Sequence, residues 1–155
     1  MMQDFIRYVD RRLAGIRLAY RAVLSGLSKG AAVQLMQAEG LAGEQAQAME
    51  FFQQFGFTSG PPAGTQLIVL PLGGRTAHSV VIATEHGAYR LDVASGESCL
   101  YSQWGDKVHV RQELIEVATR RVVITAPDGV SLEGGLTATG DVIAGGVSLM
   151  HHTHP

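Results

Sequence analysis

The 155-residue chain has a single cysteine, Cys99, so no disulfide can form within it, and folding in a reducing, cytosolic compartment fits. No apolar run approaches the ~18–20 residues that a membrane-crossing helix needs. Arginine interrupts the N-terminus too often to leave the apolar core of a signal peptide. Export by that route is therefore not expected, although the chain could leave a cell as part of a larger assembly. Aromatic residues end at Trp104: no Phe, Tyr or Trp follows it, which denies the last third the bulk of a conventional globular core. The formal net charge is −2, so the whole chain does not read as a binder of phosphate backbones. Signatures of catalysis are missing as well. The sequence has no phosphate-binding loop, no paired-carboxylate motif and no Ser/His/Asp arrangement in a convincing local context. Cys99 and His109 would make a nucleophile–base pair only if folding brought them together. A small buried thiol in a barrel strand is the expected role of Cys99. His78, His86 and His109 occur singly and are expected to be surface or structural.

What is present divides into three textures. Residues 1–30 hold six of the twelve basic side chains and only Asp4 and Asp10 as acids. Phe5, Val9, Leu13, Ile16, Tyr20, Val23 and Leu27 recur at three or four residues, which predicts an amphipathic helix over 4–27. Its expected use is packing in an assembly. A membrane-surface or nucleic-acid helix is the alternative. Gly26, Ser28 and Gly30 break the pattern.

Residues 31–112 read as a compact β domain. Strands are expected from Ala31 to Ala38, more ambiguously from Gln45 to Phe55, and from Gln66 to Leu72. Gly73-Gly74 turns the third strand, and His78 to Thr84 returns as its hairpin partner. Glu97 to Tyr101 and Lys107 to Arg111 add two strands joined around Trp104-Gly105-Asp106. Short strands of this number suit a small closed barrel such as an OB-fold. Trp104 and Tyr101 could stack on a base or a sugar, which gives a second reading: an OB-fold ligand- or nucleic-acid-binding module with a trimerising β stalk. The acidic bias of residues 31–155 argues against nucleic acid.

From 113 to 155 the pattern changes to short alternating strands around Ile115/Val117, Val122/Ile124, Val130/Leu132, Val142 and Val147/Leu149. Asp128-Gly129, Gly134-Gly135, Gly140-Asp141 and Gly145-Gly146 punctuate them. Isolated strand pairs of this kind are marginal. Winding three chains into a triangular β-prism would bury one face of every strand, so a homotrimer is expected. The chain ends His151-His152-Thr153-His154-Pro155. On a strand, His152 and His154 point to one side, whereas His151 points away. One chain offers two imidazole nitrogens and three chains offer six, an octahedral set that suits Fe(II) or Ni(II) better than tetrahedral Zn(II). Such a site has no open position and would be structural rather than catalytic.

Several segments, weak singly but specific in their order and spacing, carry a resemblance over nearly the whole chain. They are Phe51-Phe52-Gln53-Gln54-Phe55-Gly56-Phe57-Thr58-Ser59, Leu70-Pro71-Leu72-Gly73-Gly74, Gly96-Glu97-Ser98-Cys99-Leu100-Tyr101 and Gly105-Asp106-Lys107-Val108-His109. Gly140-Asp141-Val142, Gly145-Gly146-Val147 and the final His-Thr-His-Pro complete the series. With them the chain resembles the baseplate assembly protein V family, the tail spikes of Mu-like contractile-tailed phages. That resemblance implies a non-enzymatic homotrimer with an OB-fold domain and a C-terminal triple-stranded β-helix. It would sit at the baseplate tip of the virion beneath the tail tube, contact tail-hub proteins and pierce the host outer membrane on contraction. It also implies one iron ion near the tip, held by an HxH motif that falls on His152 and His154. Members usually continue past this motif with a short Gly-rich tip, whereas this sequence stops at Pro155. The expected architecture is mainly β: an N-terminal helix (1–30), an OB-fold barrel (31–112) and an intertwined trimeric needle (113–155).

Overall fold

A computed structural model describes residues 2–29, 32–40 and 43–153. Gly30 and Ala31, which enter the expectations for the helix end and the first strand, lie outside the described residues, as do His154 and Pro155. Two compact units divide the chain, residues 1–118 and 119–155. No helix among the described residues is long and apolar enough to cross a membrane.

The N-terminal helix α1 spans Met2–Ala14. Met2, Phe5, Ile6, Val9 and Leu13 form one stripe along it. The stripe is largely exposed, Phe5 at 64% and Leu13 at 59%. The helix expected over 4–27 therefore stops early. Gly15 and Ile16 donate their N–H groups to the Arg12 and Leu13 carbonyls at 3.3 and 3.0 Å, closing the last turn with short i−3 bonds. Tyr20, Val23 and Leu27, which extended the helical spacing, belong instead to strand β1, Tyr20–Lys29. Within it Ala22 and Leu24 are buried while Val23 is 46% exposed, the period of two that a strand requires. Spacings of three and four residues among the larger apolar side chains concealed that alternation.

Five strands close a barrel in the order β1-β2-β3-β5-β4, with β2 at Gln34–Glu39, β3 at Gln45–Phe51, β4 at Gln66–Pro71 and β5 at Ser79–Glu85. All neighbours are antiparallel except β3 and β5, which run parallel. Closure is as expected, but the membership differs. β1 supplies a strand assigned to the helix, and the strands after residue 97 lie outside the barrel. Closure leaves no free edge along these strands. The core is Ala22, Leu24, Met36, Ala38, Ala46, Met49, Phe51, Leu67, Val69 and Val81, with alanine and methionine filling a narrow interior. The hairpin at Gly73-Gly74 forms as expected. Gly74 has φ 72°, and a Cβ there would lie 3.0 Å from Ile16 Cγ2, so only glycine fits where Arg17 donates its N–H to the Gly74 carbonyl at 3.1 Å.

The strands expected around Cys99 and His109 form a separate antiparallel sheet, β6 (Ser98–Tyr101), β7 (Lys107–Val110) and β8 (Ile115–Ala118). In the second unit, β9 (Ile143–Ala144) and β10 (Val147–Ser148) pair as a hairpin. Residues 119–142 carry no strand.

Candidate functional site

The sheet β6–β8 has two contrasting faces, fixed by its register. Cys99, His109 and Glu116 stand opposite one another, as do Tyr101, Lys107 and Ala118. This is the charged face. His109, 6% exposed, lies with Nε2 2.9 Å from Glu97 Oε2 and Nδ1 3.3 Å from Arg111 Nε. A guanidinium only donates, so Nδ1 accepts and Nε2 carries the proton. Arg111 and Lys107 then converge on Glu116 at 2.9 and 3.3 Å. The Ala94 N–H, and after it His109 and Arg111, hold the Glu97 carboxyl below its ordinary range against the opposing effect of partial burial. The alternation Lys107/His109/Arg111 against Val108/Val110 marks a charged face in the sequence, but not the partners Glu97 and Glu116 that complete the network.

Cys99 and His109 do meet across β6 and β7, but both imidazole nitrogens are committed elsewhere, so no base is aimed at the thiol. Cys99 is half-buried, in a sheet rather than in the barrel, and its Sγ lies 3.6 Å from the Leu100 carbonyl. The expectation of a buried thiol in a barrel strand is corrected on both counts. His109 is structural, as expected, and His78 is exposed.

Trp104 and Tyr101 both line an open cleft of about 950 Å³, with Phe57, His86 and Tyr89. The His86 and Tyr89 rings pack in a tilted arrangement, 4.6 Å between centroids. Glu85 is the charged residue in the lining, and no Lys or Arg lines it among the described residues. A groove that tracks a polyanion needs cations, so the cleft is unsuited to nucleic acid.

At the C-terminal end, β9 and β10 are clamped by Asp141, whose Oδ1 accepts the Met150 N–H at 3.1 Å. Hydrogen bonds from Ser148 first, then from backbone amides, keep its carboxyl below the ordinary range. His151 ends the turn after β10, and His152 and Thr153 follow it outside any strand. His152 Nδ1 lies 2.9 Å from the Leu149 carbonyl. His154 is outside the described residues, and no group of metal-ligating side chains assembles among those described in a single chain.

Residues 21–88 match the family model described as Bacteriophage Mu Gp45, N-terminal. That span runs from β1 through β5, so the matched segment is the closed barrel. The chain is also 26% identical to the Mu-like prophage FluMu protein gp45 of Haemophilus influenzae, in an alignment that covers 99% of this chain and 95% of the relative. The chain is thus similar to Mu Gp45 proteins, most specifically in its barrel. The second match extends the likeness beyond the barrel, through β6–β8 and the second unit.

Proposed function

We propose that the chain is the central spike of a contractile phage-tail baseplate, a homotrimer whose C-terminal segment is an intertwined β needle. One observation carries this reading. In the unit 119–155, no described residue is buried. Val122, Val123, Ile124, Val130, Leu132, Leu136, Ile143, Val147, Leu149 and Met150 are each 55–72% exposed. A soluble chain does not leave so much contiguous apolar sequence in water. Copies wound about a common axis would cover one another. Likeness to the Mu Gp45 proteins supports the same reading.

The function is then mechanical. Work arrives along the axis from the contracting tail, and strand pairing between chains resists bending until the host outer membrane yields. The exposed stripe of α1 and the barrel, an OB-fold on this reading, dock on the tail hub above, which places the protein at the tip of the virion baseplate. At the needle's end, His152 and His154 of three chains would supply six nitrogens to one iron ion. The residue present fits that role. A carbonyl only accepts, so His152 donates its Nδ1–H to Leu149 at 2.9 Å, the backbone anchoring usual in metal-ligating histidines. A metal there would tie the three chains together and supply no reaction chemistry.

The aromatic cleft favours a second reading, a module that binds an uncharged ligand by stacking. The two separate in solution. Native mass measurement is expected to give three chains per particle, with no saturable quenching of Trp104 fluorescence by an uncharged sugar. A stable folded monomer at micromolar concentration would overturn the spike reading.

A further inference from the structure

The aromatic cleft is built from three stretches of chain: Gly56 to Thr65, Thr84 to Tyr89 and Cys99 to Trp104. Its rings are far from covered. Phe57 is 49% exposed, Tyr89 37%, Tyr101 44% and Trp104 80%. Pro61 and Pro62 add apolar surface to the lining. Most hydroxyls of the lining are engaged within the chain. Thr65 donates to the Pro62 carbonyl at 2.6 Å, and Ser59 donates to Gln53 Oε1 at 3.1 Å. Thr58 Oγ1 accepts from the Gln34 and Gln53 amides at 3.5 Å. Ser102 donates to Asp106 Oδ2 at 3.4 Å and accepts the Trp104 backbone N–H at 3.3 Å. The polar groups left for a ligand include the Tyr89 and Tyr101 hydroxyls and the Trp104 indole N–H. None of these three makes a hydrogen bond among the described residues.

We infer that this cleft docks an extended, proline-rich segment of a partner protein, one that carries a basic residue beside its prolines. Three properties select that occupant. The first is the pairing of apolar rings with ring-borne donors. A polyproline II segment makes no internal hydrogen bonds, so all its carbonyls seek donors. Tyrosine hydroxyls and an indole N–H meet those carbonyls while their rings pack against the prolines. Such a segment is already extended in solution, so docking it orders little. The second property is charge. Glu85 is the charged residue of the lining, and no Lys or Arg lines the cleft among the described residues. Arg90, outside the lining, reaches Glu85 only at 3.9 Å, with both side chains more than half exposed, a pair worth little. A basic residue on the segment therefore complements Glu85, and an acidic one is repelled. The third property counts against a sugar. A sugar carries a hydroxyl on most ring carbons, and each one buried must find a partner. The hydroxyls of Thr58, Ser59, Thr65 and Ser102 are already taken. Docking here requires no particular number of chains per particle, so its failure would leave the spike reading standing.

The test uses the full chain. Trp104 is its only tryptophan, so intrinsic fluorescence reports on the cleft without a label. The probe is a synthetic, end-capped oligoproline peptide of about ten residues that includes one arginine. Matched peptides carry glutamate in place of the arginine, or alanine in place of every proline. The expected result is a saturable blue shift of Trp104 emission with the arginine peptide, binding about fivefold weaker with the glutamate peptide, and no saturable shift with the alanine peptide. Glu85→Gln, at an exposed position, is expected to keep the binding and remove the preference for arginine over glutamate. Tyr101→Phe, which deletes only a hydroxyl, is expected to weaken the arginine peptide about fivefold. No saturable shift with the arginine peptide would overturn the docking site. So would equal binding of the alanine peptide, or an arginine preference that survives Glu85→Gln. A saturable shift with an uncharged sugar and none with the peptide would assign the cleft to saccharides and overturn the peptide site.

Discussion

His109 donates its Nε2–H to Glu97 at 2.9 Å from a position only 6% exposed. The Ala94 amide bonds the same carboxylate, so the charged form of Glu97 is the form the fold selects. The folded pKa is lowered below the ordinary 4.5, so the unfolded chain takes up this proton at higher pH than the folded one. Stability from Glu97 is therefore complete above that ordinary value and is lost as pH falls through it toward the folded value. Glu97→Gln is expected to lower Tm at neutral pH and to flatten the acid limb of the Tm–pH curve. Melts from about pH 3 to 7 check this. Parallel acid limbs in variant and parent would refute it.

The backbone of β3 carries strain that can be relieved. Between the pairs Met36↔Met49 and Ala38↔Ala46 the register shifts, so Gln47 and Ala48 together oppose Gln37. Ala48 sits in this bulge at φ 55°, the left-handed region that favours glycine. Ala48→Gly removes a strain of about 1–2 kcal/mol and adds unfolded-chain freedom of about 0.5–1 kcal/mol. The variant is expected to be more stable by about 0.5–1 kcal/mol on that balance. Denaturant titration reads the difference directly, and a destabilised variant would show that the bulge depends on the Ala48 methyl.

How much of this was legible beforehand varies with the element. The run Gln66 to Leu72, the Gly73-Gly74 turn and the returning strand were plain, because a hairpin is written in neighbouring residues. β1 was hidden, since Tyr20, Val23 and Leu27 match helical spacing as well as they match nothing in particular on a strand. Only the small side chain of Ala22, paired with Leu24, marks the inward face. The partition between barrel and sheet was not legible either, because β6 and β7 have the local pattern of any hairpin and their sheet is decided by long-range pairing. The Glu97–His109–Arg111–Glu116 network follows from that register, so it stayed invisible until the register was known. The apolar tail was readable as unable to bury itself alone, and the single chain shows it that way.

The barrel core permits a sharp contrast between two β-strand positions. Met36 in β2 is fully buried, whereas Val23 in β1 is 46% exposed. Met36→Ala opens a void in a barrel too narrow to collapse around it and is expected to destabilise by about 2–5 kcal/mol. Val23→Ala is expected to change stability by about 0.5 kcal/mol or less. Equilibrium unfolding of the two variants decides. Equal losses would mean that Val23 is covered in the working assembly, and that the barrel surface around β1 is an interface.

The tip provides the last prediction. His152 presents its proton to the Leu149 carbonyl at 2.9 Å, which orients the ring before any metal arrives. If six imidazoles hold one ion, untagged protein is expected to carry one iron per three chains by elemental analysis. An imidazole ligates only when neutral, so occupancy should fall on acidification. His152→Ala with His154→Ala is expected to abolish the metal while the oligomer mass is unchanged, because the apolar rows of the second unit still require burial. His151→Ala alone should leave the metal in place, since that side chain belongs to the turn and not to the pair. A metal ratio near zero in the parent, or an unchanged ratio in the double variant, would take the site away from these histidines without touching the trimer.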